Sequence, residues 1–60
     1  MYKQAHKKGK YVGIAQTGVG WNVSTWSVKG NKIHSYRSKN TRTLQSARKE
    51  FTRQKKRFLK

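Results

Sequence analysis

The chain is 60 residues long and carries 16 lysines and arginines against a single acidic residue, Glu50, for a formal net charge of +15. A small domain with this charge repels itself, so the composition predicts a polyanionic partner, above all nucleic acid. The absence of cysteine excludes disulfides and cysteine-zinc sites, and one lone carboxylate offers no acid–base pair for catalysis. We therefore expect one small binding domain that is not an enzyme and uses no cofactor.

No apolar stretch approaches the roughly 20 residues that a membrane-spanning helix needs. The lysine-rich start is not followed by the apolar segment of a secretion signal. The sequence thus predicts a cytoplasmic protein without a membrane partner.

Residues 1 to 10 are polar and cationic and show no periodic apolar pattern. We expect a flexible basic arm there, in which Lys7, Lys8 and Lys10 are available to phosphates. A tail that only keeps the protein soluble is the alternative interpretation. The folded nucleic-acid-binding domain is then expected to span residues 11 to 60.

Three strands are predicted after the arm, over residues 11–16, 21–28 and 32–37. They are built from aromatic and β-branched residues with short polar ones between them, and glycine-containing turns separate them. Short turns between consecutive strands favour an antiparallel meander.

One amphipathic helix is predicted from Thr43 onward. Thr43 is a suitable N-cap, and Leu44, Ala47, Phe51 and Phe58 recur on one face at spacings of three, four and seven. The other helix faces are cationic, and the cations concentrate near the C-terminal end, where the helix dipole favours them. The predicted fold is α+β, a three-stranded antiparallel β-meander packed against one C-terminal α-helix.

Strand alternation assigns the two faces of the predicted sheet. The predicted core consists of Val12, Ile14, Trp21, Val23, Ile33, Leu44, Ala47 and Phe51. The open face would then display Tyr11, Trp26, His34 and Tyr36 beside Lys10, Lys29, Lys32 and Arg37, and aromatics framed by cations are typical of surfaces that stack bases and contact phosphates. A β-bulge or a one-residue slip would exchange the faces. The predicted nucleic-acid-binding residues are Lys7, Lys8, Lys10, Tyr11, Trp26, Lys29, Lys32, His34, Tyr36, Arg37 and Arg42.

The remaining ionisable residues do not indicate a metal or a catalytic site. His6 and His34 have no cysteine or carboxylate partner at ligand spacing, so both are expected to be polar surface residues or donors to phosphate. Glu50 stands one helical turn before Arg53, which predicts an ion pair within the helix.

Three short motifs occur in the order in which a known type of domain has them. They are Tyr-Val-Gly-Ile at residues 11–14, Gly-Trp-Asn-Val at residues 20–23 and Thr-Leu-Gln-Ser-Ala at residues 43–47. They are similar to the Tyr-Arg-Gly-Val, Gly-Lys-Trp-x-Ala and Thr-x-Glu-Glu-Ala motifs of the three-stranded-sheet-plus-helix DNA-binding domains. Such domains occur in plant ethylene-response factors, in some phage homing endonucleases and as arm-binding domains of tyrosine-family integrases. The segment from Lys10 to about Phe58 resembles this family.

The resemblance implies that the open sheet face lies in the DNA major groove and that the helix packs behind it. The residues that would then meet nucleic acid are Trp26, Lys32, His34 and Tyr36. Val12, Ala15 and Thr17 stand where the plant proteins have base-reading arginines, and none of them can make a bidentate contact to guanine. The resemblance therefore implies phosphate contacts from lysines with limited base selectivity.

Other functions remain open at this point. Duplex DNA is favoured over RNA, but a ribosome-associated or other RNA-binding protein would use the aromatics to stack unpaired bases. A phage-type regulator could bind a host protein through Trp26 and Tyr36. A cationic membrane-active helix over residues 44–60 is the third class. The protein is expected to be a monomer or a weak dimer formed through a sheet edge.

Overall fold

A computed structural model describes residues 2 to 59, and Met1 and Lys60 lie outside that range. Within it the chain forms four antiparallel strands that pair in chain order, followed by one helix. The elements are β1 Lys3–Lys7, β2 Lys10–Thr17, β3 Gly20–Lys29, β4 Lys32–Thr41 and α1 Leu44–Phe58. The α+β class and the antiparallel sheet with one C-terminal helix are confirmed, whereas the predicted number of three strands is wrong.

The additional strand is β1, which lies where the sequence predicts a flexible arm. It pairs with β2 along its whole length. The turn between the two strands consists of Lys8 and Gly9, whose φ angles of 50° and 81° are the left-handed values that a two-residue hairpin turn needs. Residues 3 to 7 therefore belong to the sheet, and the domain boundary predicted at residue 11 moves to the start of β1.

The core lies between the sheet and α1. Its buried apolar residues come from β2, β3 and α1, and all of them belong to the predicted core: Val12, Ile14, Val23, Ala47 and Phe51. Trp21 and Leu44 are only half-buried. The prediction for Ile33 is wrong, because its side chain is 68% exposed and lies opposite Val28 on the other face of the sheet.

The helix begins and ends as its sequence indicates. The Thr43 hydroxyl accepts a hydrogen bond from the Ser46 N–H at 3.1 Å, which confirms Thr43 as the N-cap. Lys55, Lys56 and Arg57 occupy the last turn, where cations are favourable to the helix dipole. The helix thus covers the sheet with its apolar side and presents cations elsewhere.

The only acidic side chain of the chain, Glu50, is buried under the sheet. Gln54 Nε2 donates to Glu50 Oε2 at 2.6 Å, and Glu50 Oε1 lies 3.5 Å from Lys39 Nζ and 3.7 Å from Arg53 Nη1. The hydrogen bond from Gln54 and the charges of Lys39 and Arg53 lower the pKa of Glu50, although burial opposes them. The predicted pair with Arg53 is confirmed, and the contact with Lys39 also joins the helix to β4.

Candidate functional site

The surface of the sheet that faces away from α1, called the open face below, carries three stacked rings. His6, Tyr11 and Trp26 lie directly opposite one another on β1, β2 and β3. The His6 and Tyr11 ring centroids are 5.3 Å apart with 22° between the planes, and the Tyr11 and Trp26 centroids are 5.5 Å apart with 5° between the planes. Parallel rings this close overlap with an offset, because side by side in one plane they would collide. This aromatic row therefore stacks across the strands and uses both faces of Tyr11 internally.

Small and polar side chains form most of the remaining open face. Asn22 Nδ2 donates to Ser38 Oγ and to Asn40 Oδ1, both at 2.8 Å, and so links β3 to β4. Val28 and Ile33 lie opposite each other near the β3–β4 turn and are exposed. The open face thus combines rings, amides, hydroxyls and one apolar pair.

The cationic side chains of the sheet lie on the opposite face, called the helix-side face below. Two contacts with the helix show this directly: Lys3 Nζ lies 5.3 Å from the Phe51 ring centroid, and Lys10 Nζ lies 5.6 Å from that of Phe58. Strand alternation and the pairing register place every lysine and arginine of β1 to β4 on this face, namely Lys3, Lys7, Lys10, Lys29, Lys32, Arg37 and Lys39. The strand residues of the open face are therefore free of lysine and arginine.

Five lysines gather at one end of the sheet. The β1–β2 and β3–β4 turns lie side by side there, and the Val28 N–H donates to the Gly9 carbonyl at 2.8 Å. The residues of this lysine end are Lys7, Lys8, Lys10, Lys29 and Lys32. The aromatic row lies next to it, because His6 directly precedes Lys7 and Tyr11 directly follows Lys10.

The predicted binding residues fall into separate places. Tyr11 and Trp26 lie on the open face, as predicted. Arg42 follows β4 at the end of the sheet opposite to the lysine end. The open-face assignment of the others is wrong, because the pairing register, or for Tyr36 the contact with Phe58, places them on the helix-side face: Lys10, Lys29, Lys32, His34, Tyr36 and Arg37.

A β-bulge in β4 changes the register beside Trp26. From Trp21 to Thr25 the residues of β3 pair regularly with β4, and Thr25 lies opposite Arg37. The next residue, Trp26, lies opposite Ser35, so Tyr36 is an extra residue without a partner in β3. The bulge therefore places a serine beside the last ring of the aromatic row.

The ring of Tyr36 has its contacts on the helix-side face. Its centroid lies 5.1 Å from that of Phe58 in the last turn of α1, and its hydroxyl is 3.2 Å from Ser27 Oγ. The side chain remains 62% exposed. Tyr36 thus covers the end of the helix and does not belong to the open face.

An open groove of about 450 Å³ runs between β1 and the C-terminal half of α1. Ala5, Phe51 and Leu59 line it together with lysines from both elements. His6 and Thr52 also line the groove, and the lining contains neither a carboxylate nor a thiol, so its contacts are mainly cationic and apolar.

Within residues 2 to 59, the helix is neither long nor apolar enough to cross a membrane. The same residues bring together no group of three or more side chains that could hold a metal ion. Comparisons with protein-family models, with curated proteins and with solved structures found no match. The resemblance to the three-stranded-sheet-plus-helix DNA-binding domains therefore stays a prediction.

Two residues that lie in line with Tyr11 and Trp26 on the open face are absent from the predicted site, His6 and Ser35. A signal for His6 exists, because Lys-Lys-Gly-Lys at residues 7–10 is a turn sequence, and a hairpin there places His6 opposite Tyr11. Ser35 has no comparable signal, since a serine in an exposed strand is ordinary and alternation along β4 does not predict the bulge.

Proposed function

We propose that the protein binds nucleic acid, with bases at the open face and phosphates at the lysine end. The observation that carries the proposal is the aromatic row lying next to the lysine end in a chain of net charge +15. Proteins that hold nucleic acid strands combine cations along the backbone with aromatic side chains that stack bases. The other cations of the helix-side face add attraction that is independent of sequence.

The shape of the open face favours an unpaired strand over duplex DNA. Four strands at about 4.8 Å a step span about 14 Å between the outer strands, whereas the major groove is only about 12 Å wide. Phosphates line both walls of that groove, and the strand residues of the open face supply no lysine or arginine to contact them. Unpaired DNA and unpaired RNA both fit the proposal, because every base has a face that can stack.

A protein partner is the second candidate, and the uncharged character of the open face favours it. The centres of protein interfaces are depleted in charged residues and enriched in tyrosine and tryptophan. Val28 and Ile33 would extend such a contact area beyond Trp26. In this case nucleic acid would bind the helix-side face and leave the open face to the protein.

Amide chemical-shift mapping separates these candidates. A short single strand and a duplex of the same length are titrated into labelled protein. We expect the single strand to shift Tyr11, Trp26 and the lysine end most, and the duplex to shift the open face less. Changes confined to α1 would contradict the proposal and favour the protein partner, and equal changes on the open face with the duplex would restore the duplex prediction.

Two charge-matched double variants test the lysine end. Lys29→Gln with Lys32→Gln removes two charges there, and Arg48→Gln with Lys49→Gln removes two exposed charges from the first half of α1. The first variant should lower the slope of log affinity against log salt by about 1.4, at about 0.7 per phosphate contact on a single strand. The second should change the slope by less than half of that. Equal changes in both variants would show that only the total charge matters.

A further inference from the structure

The aromatic row has three rings, and the register shows where a fourth would stand. If the pairing of Trp21 to Thr25 with β4 continued without a bulge, Tyr36 would lie opposite Trp26. The row would then run from His6 to Tyr36 across all four strands. The bulge places Ser35 at that position instead and turns Tyr36 to Phe58.

We infer that the outer face of the Trp26 indole, above Ser35, is a stacking position for one unpaired base. This inference rests on the proposed function and names the ligand group that the open face takes. The base would lie on the indole as the indole lies on Tyr11, and it would complete the row at its fourth place. An incoming ring needs a free aromatic face, and stacking within the row leaves such faces only at its two ends.

The surroundings of Ser35 keep this position accessible. Every residue from Lys32 to Asn40 is exposed, so β4 does not close over Trp26. Ile33, the neighbour of Ser35 on the same face, is 68% exposed and therefore packs little against the indole. A hydroxymethyl group under the ring leaves room that a larger side chain would fill.

Ring size favours the Trp26 end of the row over the His6 end, because indole offers a larger stacking surface than imidazole. Lys29 and Lys32 each lie three residues from the pair Trp26 and Ser35 along their strands, about 10 Å at about 3.3 Å per residue. These two lysines lie on the helix-side face, so the backbone of a strand with one base on Trp26 would reach them around the lysine end of the sheet.

The test compares a short oligothymidylate with an abasic strand of the same length, which keeps the phosphates and lacks the bases. We expect wild-type protein to bind the oligothymidylate about tenfold more tightly, the size of effect that one stacked base gives. Ser35→Ile fills the fourth position with a branched aliphatic side chain that offers no aromatic face, and it should abolish this ratio while affinity for the abasic strand stays unchanged. Ser38→Ile is the matched control, because Ser38 lies on the same face of β4 opposite Ser24 and not beside the row. It should keep the ratio.

Trp26→Leu provides a second variant should Ser35→Ile fail to fold. It removes the indole face, and the ratio should fall to about one with abasic binding intact. Equal affinity of wild-type protein for the two strands would overturn the inference while leaving the proposed function standing, provided that the lysine-end variant still lowers the salt slope. Loss of the ratio in Ser38→Ile would also overturn it. Failure of both strands to bind would contradict the proposed function itself.

Discussion

The two faces of the sheet are built from the same four strands but differ in burial and in charge. On the helix-side face, Val12, Ile14 and Val23 are almost completely buried under α1, and lysines and arginines surround them. On the open face, the rings of the aromatic row stack on one another and most other side chains are small and polar. One face therefore excludes water beneath the helix, and the other remains available to a ligand.

This difference separates the charged surface of the sheet from its aromatic surface. The lysines of the helix-side face extend past the edge of the core, and Lys3 and Lys10 lie over Phe51 and Phe58 while their charges stay near solvent. The open face carries no such charges among its strand residues. Under the proposed function, selectivity there would come from stacking and hydrogen bonds, and attraction to phosphates would come from the lysines.

The largest expected effect is a loss of unfolding free energy, and it differs between the two faces of the sheet. Truncating one apolar side chain that packs under the helix and one on the open face tests this difference. Phe51→Ala should cost about 3–5 kcal/mol, because Phe51 is only 3% exposed in the core. A domain of this size has a total stability of roughly 3–9 kcal/mol, so much of the protein should be unfolded. Ile33→Ala on the open face should cost no more than about 0.5 kcal/mol. Thermal and urea unfolding followed by circular dichroism measure both, and similar losses would mean that the open face also holds the fold together.

The sequence predicts the helix and the last three strands because their signals are local. A threonine cap, apolar spacings of three and four, and glycine turns each act over a few residues. β1 cannot be predicted from such local signals, because its sequence, Lys-Gln-Ala-His-Lys, contains one apolar residue and no β-branched one. What holds β1 is its hydrogen bonding to β2, which the turn at Lys8 and Gly9 brings into register.

The faces of β2 and β3 are predictable by alternation, whereas those of β4 are not. Ile33 is the most apolar residue of β4 and suggests a core position, but the core ends before the β3–β4 turn, where Ile33 pairs with Val28 outside it. The bulge then gives Tyr36 and Arg37 the same face, which strict alternation forbids. Tyr36 then contacts Phe58, which is 22 residues further along the chain. Alternation along one strand carries no information about such a long-range contact.

A smaller effect is expected from a change of pH. Glu50 is the only acidic side chain, and it lies in α1, buried against the helix-side face. Its pKa is lowered from the ordinary value of 4.5, so its contribution to stability is full above that value and is lost as pH falls through the lower pKa of the folded state. We expect the free energy of unfolding to decline below about pH 4.5 in wild-type protein. In Glu50→Gln this decline should largely disappear. Urea unfolding at several pH values gives the answer, and an unchanged acid decline in the variant would show that the cluster with Gln54 and Lys39 does not stabilise the fold.

The smallest effect is expected from the hydrogen bonds of the open face itself. Asn22→Ala removes the two bonds to Ser38 and Asn40, but both partners are exposed and can bond to water instead. The loss in unfolding free energy should therefore be about 0.5 kcal/mol, at the low end for a hydrogen bond. Urea unfolding of this variant beside Ile33→Ala measures it. A loss above about 2 kcal/mol would mean that the link between β3 and β4 is part of the folding core, and the open face could then no longer be regarded as a surface kept free for a ligand.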